Sequence, residues 1–505
     1  MRLCLLDCEG NPLGWNFERV QRVSYLGIDL GTSGLRALLL DGDGNPIGSV
    51  ARTYETTHPH IGWSEQDPQL WIDALESAVL ELSASYSGFA DLSGIGVSGH
   101  MHGAVALDSN ARVIRPAILW NDTRSHAEAA ALDDTPKFRT LSGNIVFPGF
   151  TAPKLVWMQH NEPESFAQIA KVLLPTAFVN HYLTGAFASD MSDASGTSWL
   201  DVGARDWSDT LLRLSGMEAA QMPTLAEGSD PIGILRPALT AKWGVTGTPI
   251  VAAGAGDNAA SACGIGALTQ GQGFVSLGTS GVVLAARDGF HPNPDTAIHT
   301  FCHAVPDRWY QMGVMLAATD SLNWLGRITG LSPADLTQEL GSDISQTTPT
   351  RFLPYISGER TPHNDADIRG AFTGLGAQTI RADMTRAVLE GVSFGLKESA
   401  EALKATGAQL DQMFIVGGGA ASDYWVSMLA TVLDMPLSVP DNQECGAAMG
   451  AARLAICAAT GTAVEDVMTQ PIPSAKIDPN QAQKARFEDR YQGFKSAYEH
   501  IKQAQ

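Results

Sequence analysis

Apolar residues along the chain form short runs that end in glycine-rich turns. A run at residues 25–30 leads through Leu-Gly-Thr-Ser-Gly at 30–34 into a second run at 35–40. The same five residues recur at 277–281, about half a chain later, again between two apolar runs. Each copy is typical of two strands joined by a tight turn. Because the match spans five identical residues in the same context, it predicts two related domains.

Other segments space their apolar residues as an amphipathic helix does. They lie at residues 70–82, 384–396 and 424–433, and the charged segment from about residue 475 predicts a peripheral C-terminal helix. The Ala-rich stretch at 446–464 contains Arg453, which favours a packed helix over a membrane span. Strands and helices mixed in both halves predict an α/β fold.

Composition and charge limit the classes of partner. The chain has 505 residues and 51 glycines, about a tenth of the total against about 7% in average proteins. Its 33 basic and 54 acidic residues give a net charge of −21, which argues against nucleic acid as a partner. A local phosphate site remains compatible with this charge, because backbone amides bind anions without basic side chains.

The six cysteines and the N-terminus indicate the compartment. Cys4, Cys8, Cys263, Cys302, Cys445 and Cys457 are too few for a disulfide scaffold and too scattered for a zinc site, so we expect reduced, buried thiols. The first residues contain no apolar run long enough for a secretory signal. These features predict a cytoplasmic protein without a membrane partner.

Four glycine-rich loops are candidates for phosphate binding. They lie at residues 29–34, 254–259, 276–281 and 416–420. Glycine lets a phosphate approach the main-chain amides closely, and Thr and Ser hydroxyls add donors. Each loop alone is also compatible with a simple tight turn. Four loops, two of them copies of each other, favour a nucleotide held between two domains.

The chemistry that fits these loops is phosphoryl transfer. Residues 94–99 match the dinucleotide pattern G-x-G-x-x-G, but a predicted turn and strand follow where that motif needs a helix. A phosphotransferase needs phosphate positioning, Mg²⁺ ligands and a carboxylate base. Asp29 and Asp257 lie in glycine-rich turns and suit these roles. The alternative is that each aspartate caps its own backbone turn.

Together these motifs resemble the FGGY family of carbohydrate kinases. The resemblance rests on residues 29–34, 254–260 and 416–419, and it extends to segments at 149–157 and 370–390. It implies the duplicated two-domain actin/hexokinase/Hsp70-like (ribonuclease H-like) α/β fold, with ATP and Mg²⁺ in an interdomain cleft.

Further segments most resemble the xylulose kinase branch of that family. They are residues 62–68, 101–103, 115–122, 187–194 and 353–363. This resemblance implies ATP-dependent phosphorylation of D-xylulose to D-xylulose 5-phosphate, in D-xylose breakdown, and it suggests a homodimer. Two alternatives stay open. One is a sister kinase for another ketose or a polyol, because His100 stands where such kinases usually have Gln. The other is an actin- or Hsp70-like ATPase without a sugar substrate.

The resemblance also implies roles for individual residues. Asp257 corresponds to the general base, and Asp29 to the acidic residue that helps to place Mg²⁺ and the phosphoryl group; both are candidate metal ligands. The sugar-contacting set comprises Met101, His102, Asp257 and Asn258. The ATP-binding set comprises Gly31, Thr32, Ser33, Gly278, Thr279, Gly418 and Gly419. Ala421 stands where we expect Arg or Lys, which predicts weaker nucleotide contacts.

The same comparison divides the chain into four parts. We expect an N-terminal sugar-binding domain at residues 25–268, a nucleotide-binding domain at 269–474 and a helical tail at 475–505. Residues 1–24 precede the usual start of such kinases, and we expect the native start near Val23.

Overall fold

Two seven-stranded mixed sheets dominate the structure, a computed structural model that describes residues 23–441 and 445–504. The strands, in chain order, are β1 (Ser24–Leu30), β2 (Gly34–Asp41), β3 (Pro46–Thr53), β4 (Glu65–Gln66), β5 (Leu92–Gly99), β6 (Val105–Leu107), β7 (Ala117–Ile118), β8 (Lys171–Leu173), β9 (Ala188–Asp190), β10 (Leu200–Asp201), β11 (Asp206–Trp207), β12 (Thr224–Ala226), β13 (Pro231–Ile234), β14 (Ile250–Ala252), β15 (Ala255–Gly256), β16 (Gly271–Leu277), β17 (Gly281–Arg287), β18 (His299–Cys302), β19 (Trp309–Met315), β20 (Arg351–Leu353), β21 (Ala371–Thr373), β22 (Leu410–Val416), β23 (Leu437–Pro440) and β24 (Pro473–Ile477).

The helices cover both faces of these sheets. In chain order they are α1 (Pro68–Ser85), α2 (His126–Asp133), α3 (Pro136–Ser142), α4 (Thr151–Asn161), α5 (Pro163–Phe166), α6 (Pro175–Thr184), α7 (Met191–Ala194), α8 (Asp209–Leu214), α9 (Pro237–Trp243), α10 (Asp257–Gly264), α11 (Thr319–Thr329), α12 (Pro333–Gln338), α13 (Arg381–Ala405), α14 (Asp423–Leu433), α15 (Ala447–Thr460), α16 (Val464–Val467) and α17 (Gln481–Ala504).

The two sheets repeat one topology. The first has the order β13-β14-β5-β1-β2-β3, with β15 also paired to β5, and the second has the order β18-β19-β17-β16-β22-β23-β24. In each sheet, the strand whose last residue is the Leu of Leu-Gly-Thr-Ser-Gly is β1 or β16. This strand pairs antiparallel with the next strand and parallel with a later one, β5 or β22. The duplicated α/β fold predicted from the five-residue repeat is therefore confirmed.

The helical predictions from apolar spacing are also confirmed. α1 includes residues 70–82, α13 includes 384–396, α14 includes 424–433, and α15 occupies most of the Ala-rich stretch. In the described part of the chain, no helix is both long and apolar enough to cross a bilayer.

The C-terminal segment differs from its prediction. The tail expected to be helical from residue 475 begins within β24, which pairs with β23 at the edge of the second sheet, and α17 starts only at Gln481. The helix is not peripheral, because Phe487, Tyr491 and Phe494 are buried in the core of the second half. Their spacing of three to four residues places them on one face of α17.

Helix α15 follows the second sheet in sequence but packs on the first. A Cβ atom on Gly27 or on Gly96 would lie 1.9 Å from a carbonyl oxygen of α15, and one on Gly450 would lie 1.8 Å from the carbonyl oxygen of Ala260 in α10. Only glycine allows backbones to approach this closely. The contact holds α10 and α15 together between the two sheets.

Three further sequence predictions concern the cysteines, the N-terminal extension and the domain boundaries. The described cysteines Cys263, Cys302 and Cys457 are buried free thiols, and Cys445 is buried as well, as expected. Of the predicted extension at residues 1–24, all but the last two residues lie outside the described residues, as do Cys4 and Cys8. The domain boundaries at residues 268 and 474 stay predictions.

Candidate active site

Two aspartates meet at the carboxyl ends of neighbouring strands. β1, β5 and β15 are parallel neighbours, and their register aligns Asp29 with Ser98 and Ser98 with Ala255. Asp257 follows two residues later, as the first residue of α10. Carboxyl ends of parallel strands are the usual place for ligands in such sheets. The strand ends thus bring together the two residues that the sequence analysis singled out.

Burial raises the pKa of both carboxylates, and at Asp257 the charge of Asp29 adds to it. Burial raises the pKa of Asp29, although Ser98 Oγ donates a hydrogen bond to it at 2.9 Å and Arg36 lies nearby. Burial, and then the charge of Asp29, raise the pKa of Asp257 to about 6. The main-chain N–H and the side-chain amide of Asn258 donate to Oδ1 of Asp257 at 2.7 and 3.0 Å. A carboxylate with a pKa near neutrality suits a general base.

A strained turn after β5 presents His102. The residue has φ of +71°, and its carbonyl oxygen accepts bonds from Thr151 Oγ1 at 3.1 Å and Lys154 Nζ at 2.8 Å. Its Nδ1 lies 2.7 Å from the carbonyl oxygen of Gly196. A carbonyl only accepts, so Nδ1 carries a proton; burial lowers the pKa of His102 to about 3, which leaves Nε2 as a neutral acceptor.

Met101 connects this turn to the base. Its side chain is buried, and a Cβ atom on Gly256, the residue before Asp257, would lie 2.8 Å from Met101 Cγ. Tyr310 from the second sheet donates its hydroxyl to Met101 Sδ at 3.7 Å. Met101 therefore lies against the residue that leads into Asp257, and the neighbouring His102 ring stacks on Phe150 at 4.5 Å between centroids.

His100, the unusual residue of this segment, is part of the protein interior. It is 2% exposed, and its ring packs edge-on against Trp71 at 5.5 Å. Both ring nitrogens are buried and have no hydrogen-bond partner among the described residues. Since neither nitrogen is accessible, His100 presents no free polar atom to a ligand in this structure.

A cavity of about 690 Å³ opens between α10 and the strands β16, β22 and β23 of the second sheet, beginning at the residue after Asp257. Its lining includes Asn258 and Ser261 on α10, Ser276 on β16, Gly418 after β22 and Gly446 before α15. Of the predicted ATP-binding residues, Gly418 thus lines the cavity. Asn258, predicted to contact the sugar, lines it as well.

The other ATP-binding candidates shape the loops around this cavity. The loop 417–419 lies directly on the β16–β17 turn, since a Cβ atom on Gly417 would be 2.6 Å from the carbonyl oxygen of Leu277. Gly278 and Thr279 accept hydrogen bonds at their carbonyls from Thr319 and Ala318 at the start of α11. Gly419 is buried against Leu277.

The first copy of the turn is held by polar side chains. Gly31 N–H donates to the carbonyl of Gly34 at 2.9 Å. The Thr32 carbonyl accepts from Gln66 at 2.6 Å, and the Thr32 hydroxyl accepts from Trp120 Nε1 at 2.9 Å. Ser33 is exposed. These contacts fix Gly31, Thr32 and Ser33 directly after Asp29.

The residues suit Mg²⁺ together with phosphate. In residues 23–441 and 445–504, no group of three or more His, Cys, Asp or Glu could hold a metal ion. Mg²⁺ usually takes one or two carboxylates and completes its shell with substrate phosphates and water. The charge of Asp29 raises the pKa of Asp257, so the two carboxylates are neighbours and would form that donor set.

Some residues at the site had no role in the sequence interpretation. Ser192 Oγ accepts a hydrogen bond from Gly256 N–H at 3.1 Å and donates to Asp190. Asp193 is buried close by, and burial, then the charges of Asp190 and Asp257, raise its pKa well above the usual range. These residues lie in segment 187–194, which resembles the corresponding segment of xylulose kinases but contains no recognisable catalytic or binding motif. Its position next to the candidate base follows from the fold and could not be predicted from the sequence.

Comparisons with known proteins give the family. Residues 24–264 match the N-terminal domain, and residues 273–459 the C-terminal domain, of the FGGY family of carbohydrate kinases. The chain is 44% identical over 482 residues to a protein named xylulose kinase from Escherichia coli K12, covering 94% of this chain and 99% of that protein. A crystal structure described as a xyloylose kinase from Brucella ovis matches with a TM-score of 0.94 and 50% identity, covering 95% of this chain and 100% of the other.

A glycerol kinase from Plasmodium falciparum, solved with ADP, shares the fold at a TM-score of 0.86 and 18% identity, with 95% of this chain and 98% of that one covered. The two family domains together span most of the chain and both of its sheets. The chain therefore belongs to the FGGY family of carbohydrate kinases.

Proposed function

We propose that the protein transfers the γ-phosphoryl group of ATP to the C5 hydroxyl of D-xylulose, giving D-xylulose 5-phosphate and ADP. The observation that carries this proposal is the position of Asp257. The residue before it, Gly256, packs against Met101, while the next residue, Asn258, lines the large cavity between α10 and the second sheet. A base between an acceptor pocket and a nucleotide pocket is the arrangement that phosphoryl transfer requires. The xylulose kinase names of the relatives support the choice of sugar.

In the proposed reaction, Asp257 accepts the proton of the C5 hydroxyl. The O5–Pγ bond forms while the bond between Pγ and the β,γ-bridging oxygen breaks, and ADP leaves with that oxygen. His102 Nε2 accepts a hydrogen bond from a sugar hydroxyl, and Met101 packs on the apolar face of the sugar. Gly418 and the Gly-Thr-Ser turns hold the phosphates through main-chain amides and hydroxyls.

Mg²⁺ belongs to this proposal as the cofactor that neutralises phosphate charge. Asp29, with Asp257, would hold it. Because a reaction that consumes ATP and a sugar catabolite takes place where both accumulate, we also propose a cytoplasmic location. The homodimer expected from the resemblance stays a prediction.

The test is an ADP-release assay across D-xylulose, D-ribulose, L-ribulose, xylitol, D-arabinitol and a reaction without sugar. We expect D-xylulose to have the highest kcat/KM and ADP release without sugar to be much slower. A higher kcat/KM for another ketose or a polyol would support the sister-kinase alternative. ADP release that does not depend on any sugar would support a simple ATPase.

A further inference from the structure

Arg360 reaches the acceptor side of the cleft from the second half of the chain. Its Nη1 lies 3.4 Å from Nε2 of His299, and its guanidinium carbon lies 4.7 Å from the centre of the Phe147 ring. The side chain is partly exposed. Within the described ranges, Arg360 forms no ion pair with a carboxylate, whereas Arg115 and Arg205, which are also largely buried, each do. The charge of the neighbouring Glu359 acts on it, but the Oε1 atom of that carboxylate accepts main-chain N–H groups, which leaves guanidinium N–H groups for a ligand.

The backbone around Arg360 is firmly held. The N–H of Arg360 donates to Glu359 Oε1 at 2.7 Å, and the same oxygen accepts from Leu316 N–H at 3.1 Å. The next residue, Thr361, bonds to Val314 through its main-chain N–H and to the Ala297 carbonyl through its hydroxyl, both at 3.0 Å. A donor on such a fixed loop is pre-organised, so little entropy is lost when it binds.

The positive charge of Arg360 acts on two buried histidines near the candidate sugar-binding residues. Burial is the main reason for the low pKa of both His102 and His299, and the nearby positive charge of Arg360 contributes to each. The candidate base, Asp257, is instead next to the negative charge of Asp29, which raises its pKa. Burial lowers the pKa of Arg360 to about 10, so the guanidinium remains charged at neutral pH. Ring contacts connect the guanidinium to the candidate sugar ligand, because His299 lies 5.7 Å from the Phe150 ring, which in turn stacks on His102.

One oxygen of the acceptor sugar, the ketone oxygen, suits a partner that has only hydrogen-bond donors, as a guanidinium has. A pentulose closes its furanose ring through O5, so a sugar with a free C5 hydroxyl is the open-chain form with a free C2 ketone. Hydroxyls both donate and accept, but a ketone oxygen only accepts. A guanidinium has five donors and no acceptor, so it favours the ketone over a hydroxyl at the same position.

We propose that Arg360 is a specificity-determining residue that donates to the C2 ketone oxygen of the open-chain ketose and so selects ketoses over the corresponding polyols. This inference rests on the proposed function. It assigns the two ends of the sugar: C5 lies towards Asp257 and C2 towards Arg360.

The test compares D-xylulose with xylitol, which carries a hydroxyl in place of the ketone. Binding of each without ATP is measured by calorimetry, and kcat/KM by ADP release, for the wild type, Arg360→Gln and Arg360→Lys. Loss of a charged hydrogen bond predicts about 10- to 100-fold weaker D-xylulose binding in Arg360→Gln, with xylitol binding changed by less than about 3-fold. In Arg360→Lys, we expect D-xylulose binding between that of the wild type and that of Arg360→Gln. Lysine keeps the positive charge but lacks the planar array of guanidinium donors.

Arg369→Gln is the matched control, since Arg369 is exposed in the same loop and bonds only to nearby carbonyls among the described residues. It should leave both sugars unaffected. Equal losses for D-xylulose and xylitol in Arg360→Gln, or no loss for either, overturn the inference while the proposed function stands. If Arg360→Gln fails to fold, Arg360→Lys provides the test. The inference is overturned if the ratio of the D-xylulose and xylitol affinities is the same in Arg360→Lys as in the wild type. A wild-type protein that neither binds nor phosphorylates D-xylulose overturns both proposals.

Discussion

The N–H of Gly256 donates a hydrogen bond to Ser192 Oγ at 3.1 Å, and this bond fixes the residue immediately before Asp257. Ser192 is fully buried and in turn donates to Asp190. Four residues further on, the carbonyl of Gly196 bonds the His102 ring. One short turn of the chain thus holds both the candidate base and the candidate sugar ligand in place.

Replacement of Ser192 by alanine should therefore impair the chemical step more than sugar binding. The substitution removes the acceptor of the Gly256 N–H, and a lost buried hydrogen bond costs about 1–1.5 kcal/mol, or roughly 10-fold in rate when it positions the base. We expect kcat to fall about 10-fold while KM for D-xylulose changes by less than about 3-fold. Steady-state kinetics with saturating ATP measure both values.

Ser195→Ala is the matched control on the same turn. Ser195 is equally buried, and its Oγ accepts from Cys302 N–H at 3.0 Å, which tethers the turn to the second sheet. This variant should lose similar thermal stability but keep its kcat. Equal losses of kcat in the two variants would show that the turn acts only through stability.

His100 gives a prediction about sugar preference. Because its ring nitrogens are inaccessible, His100→Gln should leave the ranking of ketoses and polyols unchanged in the ADP-release assay. A changed ranking would mean that position 100 reaches the sugar in the bound state.

The same substitution should change how stability depends on pH. Burial lowers the pKa of folded His100 to about 3, whereas an unfolded histidine titrates near 6.5, so below pH 6.5 the unfolded state binds more protons. The contribution of His100 to the stability of the wild type therefore decreases as the pH falls. Between pH 7.5 and 5.5 the wild type should lose about 1.4 kcal/mol of unfolding free energy relative to His100→Gln. Urea unfolding at the two pH values measures this difference; parallel changes in both proteins would contradict it.

The sequence alone predicts much of the fold because the main signals are local. The repeat at residues 30–34 and 277–281 indicates two equivalent strand pairs, and both appear as β1–β2 and β16–β17. Asp29 and Asp257 each follow an apolar run, and parallel strands bring such ends together. Arg360 could not be assigned a role in this way, because its neighbours His299 and Phe147 come from other strands and loops.

Glycine composition was only partly interpreted from sequence. Gly27, Gly96 and Gly450 lie outside the four predicted phosphate loops, and they allow α15 to lie against the first sheet and α10. The sequence does not show which glycines will lie directly beneath a packed helix. The strand β24 was missed for a similar reason, since its residues are largely exposed and it is fixed by pairing with β23.

Gly450→Ala should test the close contact between α15 and α10. Its Cβ atom would meet the carbonyl oxygen of Ala260 at 1.8 Å, so backbone must move, and overpacking of this kind costs about 1–3 kcal/mol or more. The thermal midpoint should fall by several degrees. Gly376→Ala is the control, since a Cβ atom there would have no neighbour within 4 Å; equal midpoints in the two variants would refute the contact.

The role of Asp257 as the base is most directly tested by kcat of Asp257→Asn with saturating D-xylulose and ATP. Asparagine keeps the shape but cannot accept the hydroxyl proton, and general-base catalysis contributes about 10²–10⁴-fold. The account predicts at least a 100-fold fall in kcat, with D-xylulose binding still measurable by calorimetry. Turnover close to that of the wild type would contradict it.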